Sequence, residues 1–62
     1  MSQYELDLTK VKGIGEKKAL TLLKEFKTKQ GIKAATVEQL METAKISRET
    51  AEELYIYVQN TF

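Results

Sequence analysis

The two halves of the sequence repeat the same apolar pattern when one half is shifted by 32 residues against the other. The pairs that coincide are Leu8 with Leu40, Ile14 with Ile46, Ala19 with Ala51, Leu22 with Leu54, and Phe26 with Val58. Each half has the pattern of a helix, a short turn with a central isoleucine, and a longer helix. Because neither half can build a core alone, we expect two units that stack by pseudo-two-fold symmetry around one shared core.

We expect an all-α fold, a compact bundle of four to five short helices in a single domain over residues 1–62. The expected helices cover about residues 3–10, 16–27, 32–35, 37–43 and 48–60, of which 32–35 is a single helical turn. The first hairpin then spans about residues 5–27, a connector about residues 28–36, and the second hairpin about residues 37–60.

Three segments have the sequence of a helix N-cap. Ser2 and Glu5 have the spacing of a capping box, and Asp7 is an alternative start for the same helix. Residues 36–39, Thr-Val-Glu-Gln, have the form of a second capping box before the third long helix. Ser47 precedes the last helix and is a favourable N-cap residue.

Apolar residues at helical spacing predict which face of each helix is buried. The predicted buried residues are Ala19, Leu20, Leu23 and Phe26 in the second helix, Leu40 with Met41 or Val37 in the third, and Ala51, Leu54, Tyr55 and Val58 in the fourth. In the first helix, Leu6 or Leu8 is expected to pack with Val11. We interpret these stripes as core.

The segment from Val11 to Ala19 contains two glycines on either side of an isoleucine, directly before a strong helical pattern. Glycine tolerates positive φ and leaves neighbouring N–H groups uncovered, while Ile14 is expected to point into the core. The first N–H groups of the following helix lack an intrahelical partner and carry the positive end of the helix dipole. Since Lys17 and Lys18 lie in that helical turn, we predict an anion site, with phosphate as the commonest ligand.

The motif by itself has a plain structural alternative, because Gly-X-Gly between two helices is often only a tight connector. It is not a dinucleotide fingerprint, since Lys18 stands where a third glycine is required and no strand pattern precedes it. It is not a P-loop either. The repeat carries more weight, because two such turns side by side suit a row of phosphates.

The second copy of the turn lacks both glycines. Lys45 stands in the position of Gly13, and Ser47 stands in the position of Gly15. A left-handed backbone conformation at Lys45 would cost about 1–2 kcal/mol. This turn therefore either has a different bend, or it is strained and presents a side-chain charge instead of a bare backbone. Ser47 can cap the last helix, but its hydroxyl then competes for the N–H groups that an anion needs. We expect the first turn to be the better phosphate site and the second to contribute mainly through Lys45 and Arg48.

Charge is distributed unevenly along the chain, although the net charge is only +1. Up to Lys33 there are eight lysines and four acidic residues, which gives a net charge of +4. From Ala34 onward there are two basic and five acidic residues, which gives −3. This asymmetry favours a polyanionic partner at one face, and the alternative is a solvated surface with unevenly scattered lysines.

The chain contains no cysteine and no histidine. Disulfides, Cys/His metal sites and the usual nucleophile–base pairs of enzymes are therefore excluded, and a reducing, cytoplasmic compartment is favoured. Glu52 and Glu53 point about 100° apart on a helix, so they do not form the carboxylate cluster of a two-metal nuclease. No apolar run approaches the roughly 20 residues of a membrane span. We expect no enzyme activity, no cofactor, no metal ion and no membrane partner.

Residues 11–19, Val-Lys-Gly-Ile-Gly-Glu-Lys-Lys-Ala, resemble the helix-hairpin-helix motif, whose form is hydrophobic-x-Gly-hydrophobic-Gly-x-Lys-x-Ala. Two such units joined by a short helix resemble the tandem helix-hairpin-helix domain, which has a SAM-like fold. The likeness is strongest to the C-terminal domain of the bacterial excinuclease family UvrC, which acts in nucleotide excision repair, over about residues 5–59. Lys12, Lys29 and Lys45 depart from the family pattern of proline, an apolar residue and glycine.

This resemblance implies a non-catalytic, non-sequence-specific DNA-binding module that positions a repair nuclease. Hairpin amides of such domains contact phosphates across the minor groove, often near junctions of single- and double-stranded DNA. The implied DNA-binding residues here are Lys12, Gly13, Ile14, Gly15, Lys17 and Lys18 in the first turn, and Lys45, Ile46, Ser47 and Arg48 in the second. The resemblance also allows a monovalent cation held by hairpin carbonyls.

The alternative function is a protein–protein interaction or dimerisation module of a DNA-repair complex, because the same tandem fold dimerises in a eukaryotic repair nuclease pair. The candidate contact residues are Tyr55, Ile56, Tyr57 and Phe62, on or after the last helix. Isolated apolar surface residues are normal in monomers, so ordinary core and surface positions are the simpler interpretation of these side chains.

Overall fold

The structure, a computed structural model, describes residues 8–61. Regular secondary structure in this range is entirely helical. A 3-10 turn at Leu8–Lys10 is followed by α1 (Glu16–Phe26), α2 (Lys29–Lys33), α3 (Val37–Ala44) and α4 (Arg48–Thr61). Helix α3 packs against both α1 and α4, and the short α2 also packs against α1 and α4. The predicted all-α fold is confirmed.

Most of the buried core residues lie at positions that the 32-residue shift pairs, and Val11, Ile32, Ala35 and Ala44 complete the core. Leu22 in α1 and Leu54 in α4 are completely buried, and so are Leu8 and Leu40 in the elements that precede them. In two of the pairs, the burial of the two members differs. Ile14 is buried and Ile46 is half-buried, whereas Phe26 is half-buried and Val58 is buried. Because burying one leucine side chain contributes about 1.5–3 kcal/mol, a domain this small depends on the apolar residues of both halves.

Predicted caps begin α3 and α4. The Thr36 hydroxyl accepts a hydrogen bond from the Gln39 N–H at 3.1 Å, and the Gln39 Oε1 accepts from the Thr36 N–H at 2.9 Å, which completes a capping box. The Ser47 hydroxyl accepts from the Thr50 N–H at 3.3 Å. Both predictions are confirmed. The candidate caps at Ser2 and Asp7 lie outside the described residues, and the described end of the predicted first helix is a 3-10 turn.

The predicted buried face of α1 is wrong at two positions. Leu20 is 58% exposed and Leu23 is 37% exposed, whereas Ala19 and Leu22 are buried. The inward stripe is Ala19, Leu22 and Phe26, whose i, i+3, i+7 spacing is as helical as that of the predicted stripe. Two apolar stripes overlap in this helix, and periodicity within the helix does not choose between them.

A similar correction applies to Tyr55 in α4. As predicted, the buried residues of α3 and α4 include Leu40, Ala51, Leu54 and Val58, with Val37 and Met41 packed against the core. Tyr55, however, is 37% exposed. Tyr57, the candidate surface residue, packs against the core instead.

The connector differs from its prediction as well. We expect a helical turn at 32–35, but α2 begins earlier, after Thr28, whose hydroxyl accepts from the Gly31 N–H at 2.9 Å. The earlier start depends on Lys27, which ends α1 with φ 67°, so that the Thr28 N–H turns back onto the Phe26 carbonyl at 2.6 Å. Gly31 then lies directly against that carbonyl oxygen, where a Cβ would overlap it.

The glycine at this contact can be tested by substitution. Gly31→Ala is expected to lower the free energy of unfolding by about 1–3 kcal/mol, because the added Cβ would collide with the Phe26 carbonyl. Gly15→Ala is the matched control, since a Cβ there meets nothing within 4 Å and its φ of −87° suits any residue. Urea denaturation followed by circular dichroism measures both variants. Equal stability losses would contradict the close contact at Gly31.

Candidate functional site

The first turn (residues 11–15) is a hydrogen-bonded β-turn that joins the 3-10 turn to α1. The Val11 N–H donates to the Leu8 carbonyl at 3.1 Å, and the Ile14 N–H donates to the Val11 carbonyl at 3.0 Å. Lys12 and Gly13 are the two central residues, and Gly13 has φ 93°. Since a type II turn requires positive φ at its third residue, the backbone itself requires glycine at position 13.

The second glycine of the motif has no such backbone requirement. Gly15 has extended dihedral angles, φ −87° and ψ 179°, that any residue adopts. A Cβ added at Gly15 meets no atom within 4 Å. On the other side of the turn, Ile14 is buried as predicted and anchors the turn to the core. Glycine at position 15 therefore leaves open space in front of α1 that the fold does not use.

The start of α1 presents backbone donors to that open space. Gly15 is the N-cap residue, and no side chain caps the helix there. The first intrahelical bond runs from the Ala19 N–H to the Gly15 carbonyl at 2.9 Å, so the preceding helical N–H groups lie ahead of the hydrogen-bond ladder. Lys17 is exposed and Lys18 is half-buried. The donors, the helix dipole and the lysines together favour an anion.

The second turn (residues 45–47) has a different hydrogen-bond pattern. Lys45 has φ 57° and ψ 51°, so it keeps the positive φ of Gly13 despite being a lysine. Of the two alternatives left open by the sequence, the strained, left-handed one is found. The N–H groups of Lys45 and Ile46 both donate to the Met41 carbonyl, which closes α3 in the manner of a Schellman motif.

Several of the predicted DNA-binding groups already have partners in this structure. The N–H of Ile46 donates to Met41, as that of Ile14 does to Val11, so neither isoleucine offers a free amide. The Ser47 hydroxyl accepts from the Thr50 N–H and donates to the Thr50 hydroxyl oxygen at 3.2 Å. The start of α4 is therefore capped by its own side chain, whereas the start of α1 is not.

Arg48 is held by two carboxylates. Its Nη2 atom lies 3.1 Å from Oε2 of Glu38, and its Nη1 atom lies 3.9 Å from Oε2 of Glu52. The pKa of Glu38 is held below its ordinary value by a hydrogen bond from its own backbone N–H at the start of α3, and then by the Arg48 guanidinium. Glu38 is therefore ionised at neutral pH and pairs with a guanidinium that was predicted to face DNA.

The first turn and the start of α4 lie side by side. A Cβ placed on Gly13 would sit 3.1 Å from Cγ2 of Thr50. Between them runs an open groove of about 300 Å³, lined by Lys12, Gly13, Glu49, Thr50 and Glu53. The sequence reasoning did not single out Glu49 and Glu53 for this position. Their i, i+4 spacing shows only that the two side chains share one face of α4, because the contact with Gly13 joins the two halves of the chain.

Within residues 8–61, no group of three or more metal-ligating side chains of the His, Cys, Asp or Glu type lies together. The helices of this same range are all too short or too polar to cross a bilayer.

The geometry agrees with a comparison to known families. Residues 5–60 match the family described as the SAM-like helix-hairpin-helix tandem. The chain belongs to this family. The first turn lies against the start of α4, and residues from both halves of the chain share one core.

Several curated proteins named UvrABC system protein C contain a segment that is similar in sequence to this chain. The identity is 37% over 54 residues for the protein of Dictyoglomus thermophilum, 40% over 48 residues for that of Alkaliphilus metalliredigens, and 42% over 48 residues for that of Nitrosomonas europaea. These matches cover 77–87% of this chain but only 8–9% of each relative. The predicted resemblance is thereby confirmed. No solved structure gives a significant match.

The strain at the second turn predicts a stabilising substitution. Lys45→Gly is expected to raise the free energy of unfolding by about 1 kcal/mol, because glycine adopts positive φ without the Cβ penalty. Lys24→Gly is the matched control inside α1, where the same change should cost about 1 kcal/mol. Thermal and urea unfolding report both values. A destabilised Lys45→Gly variant would mean that the lysine side chain contributes more than its backbone strain costs.

Proposed function

We propose that this chain is a non-catalytic, non-sequence-specific DNA-binding module that holds phosphate at the first turn. The observation that carries the proposal is the uncapped start of α1 behind Gly15, where a Cβ would find only open space. Lys12 and Lys17 are exposed beside it, and Lys18 is half-buried. A phosphate can approach the backbone closely there and accept hydrogen bonds from N–H groups at the positive end of the helix dipole.

Contacts of this kind fix the position of a protein on DNA without reading its bases. The amide groups and lysines of the first turn recognise phosphate oxygens, which are the same at every step of the strand. Among the exposed residues of the first turn, none is an asparagine, glutamine or arginine that would pair with base edges in the major groove. Binding is therefore expected to be weak, independent of sequence and strongly dependent on salt.

The similar segments in UvrABC system protein C suggest the wider context. We place the module in bacterial nucleotide excision repair, in the cytoplasm, where it would position a nuclease on the DNA to be cut. The chain spans 8–9% of the length of those relatives. In this proposal, the module binds the phosphate backbone, and the nuclease that it positions cuts the DNA.

Charge reversal at the start of α1 tests the proposal. Lys17→Glu combined with Lys18→Glu is expected to weaken binding to duplex DNA by at least about tenfold at low salt, because phosphate contacts dominate such affinity. Lys24→Glu combined with Lys27→Glu is the matched control at the other end of α1, with the same change in net charge. Fluorescence anisotropy at several salt concentrations measures both. Equal losses in the two variants would indicate general electrostatics rather than a site.

Gly15→Ala provides the uncharged arm of the same experiment. The substitution leaves every lysine in place and fits the fold without contact. Its methyl group occupies the space through which phosphate reaches the N–H groups, so a loss of several-fold in affinity is expected. Unchanged affinity would exclude the backbone amides as the contact and leave only the lysines.

A second candidate function is protein–protein contact, which the apolar exposure of α1 and α4 favours. Leu20 and Ile56 are 58% and 57% exposed, and Leu23 and Tyr55 are each 37% exposed. Sedimentation at increasing protein concentration separates the two functions. A dimer that is lost in Leu20→Ser and Ile56→Ser variants, without any affinity for DNA, would support this second function. A monomer that binds DNA supports the first.

A further inference from the structure

The two turns of this domain are unequal in ways that extend beyond their glycines. The 32-residue shift pairs Lys17 with Glu49 and Lys18 with Thr50. After the first residue of each helix, Glu16 in α1 and Arg48 in α4, α1 has two lysines where α4 has an acidic and a neutral residue. A phosphate that is attracted at one turn meets a negative charge at the matching point of the other.

The backbone N–H groups at the starts of α1 and α4 also favour the first turn over the second as a phosphate site. At the start of α1, no side chain caps the helix. At the start of α4, the Ser47 hydroxyl accepts a hydrogen bond from the Thr50 N–H. A phosphate that approaches the Thr50 N–H would have to displace this bond, whereas at the first turn it would meet the leading N–H groups of an uncapped helix.

Acidic neighbours also offset part of the positive charge at the second turn. Arg48 lies between Glu38 and Glu52, at 3.1 Å and 3.9 Å, so two carboxylates already offset its charge. Glu49 and Glu53 line the α4 side of the groove that separates α4 from the first turn, and Lys12 lines the opposite side, so the two carboxylates outnumber the one cation there. Lys45 is the one other basic residue between positions 44 and 50, so the second turn offers a single lysine against this acidic surface.

From these contacts, and resting on the proposed function, we infer that phosphate is held at the first turn alone and that Glu49 and Glu53 keep the DNA backbone away from the second. The domain then contacts one strand of its ligand. Here the second turn serves as a structural partner that supports the first, and the acidic groove sets the edge of the binding surface.

Restoring the lysine at the matching position tests this inference. Glu49→Lys places at α4 the charge that Lys17 places at α1, and it should raise affinity for duplex DNA by about tenfold at low salt, with a salt slope steeper by about one. The gain should be larger for a duplex than for a single strand, because only the duplex offers a second strand to the second turn. Glu42→Lys, an exposed acid of α3, is the control for general charge and should change both affinities equally.

Amide chemical-shift mapping of the unmodified chain supplies a second readout. Shifts induced by duplex DNA are expected over residues 12–18 and not over residues 45–49. Comparable shifts at both turns, or a Lys45→Ala variant that weakens duplex binding as much as Lys17→Ala does, would overturn the inference while leaving the proposed function intact. Absence of binding to duplex and to single-stranded DNA would instead overturn the proposed function itself.

Discussion

The burial of matched leucines from both halves is the contact on which the structure depends. Leu22 and Leu54 are fully buried, and each helix of the pair would otherwise expose its apolar stripe to water. The two turns are held beside each other as a consequence of this shared core, since the helices that begin at them pack around α3. The separation of the turns is therefore set by apolar packing, and their surface residues are left to determine what is bound.

Much of this architecture could be predicted from local sequence, because its causes are local. The capping box at Thr36 and the cap at Ser47 are short-range hydrogen bonds between residues three positions apart. The start of α2 could not be predicted in this way. It depends on the positive φ of Lys27 and on the close approach of Gly31 to a backbone carbonyl. The spacing of apolar residues in this segment predicts neither feature. The exposed Leu20 shows the same limit, since overlapping stripes are resolved only by tertiary contact.

Part of the candidate site could also be predicted from local sequence. Gly13 and the uncapped start of α1 follow from a motif of adjacent residues, so sequence reasoning located them. The pairing of Arg48 with Glu38 joins residues ten positions apart on different helices, and the groove beside Gly13 joins opposite halves of the chain. Such contacts decide which charges remain available, and they become visible only when the helices are placed in space.

The anchoring of the first turn has a kinetic consequence. Gly13 rests against Thr50, and Ile14 is buried beneath it, so the backbone between them is ordered before any ligand arrives. Under the proposed function, association with an anionic partner requires no rearrangement of the turn, and the field of the neighbouring lysines raises the rate of encounter. Ionic strength then acts mainly on how often encounters occur, while the need to dock in one orientation sets the fraction of encounters that become complexes.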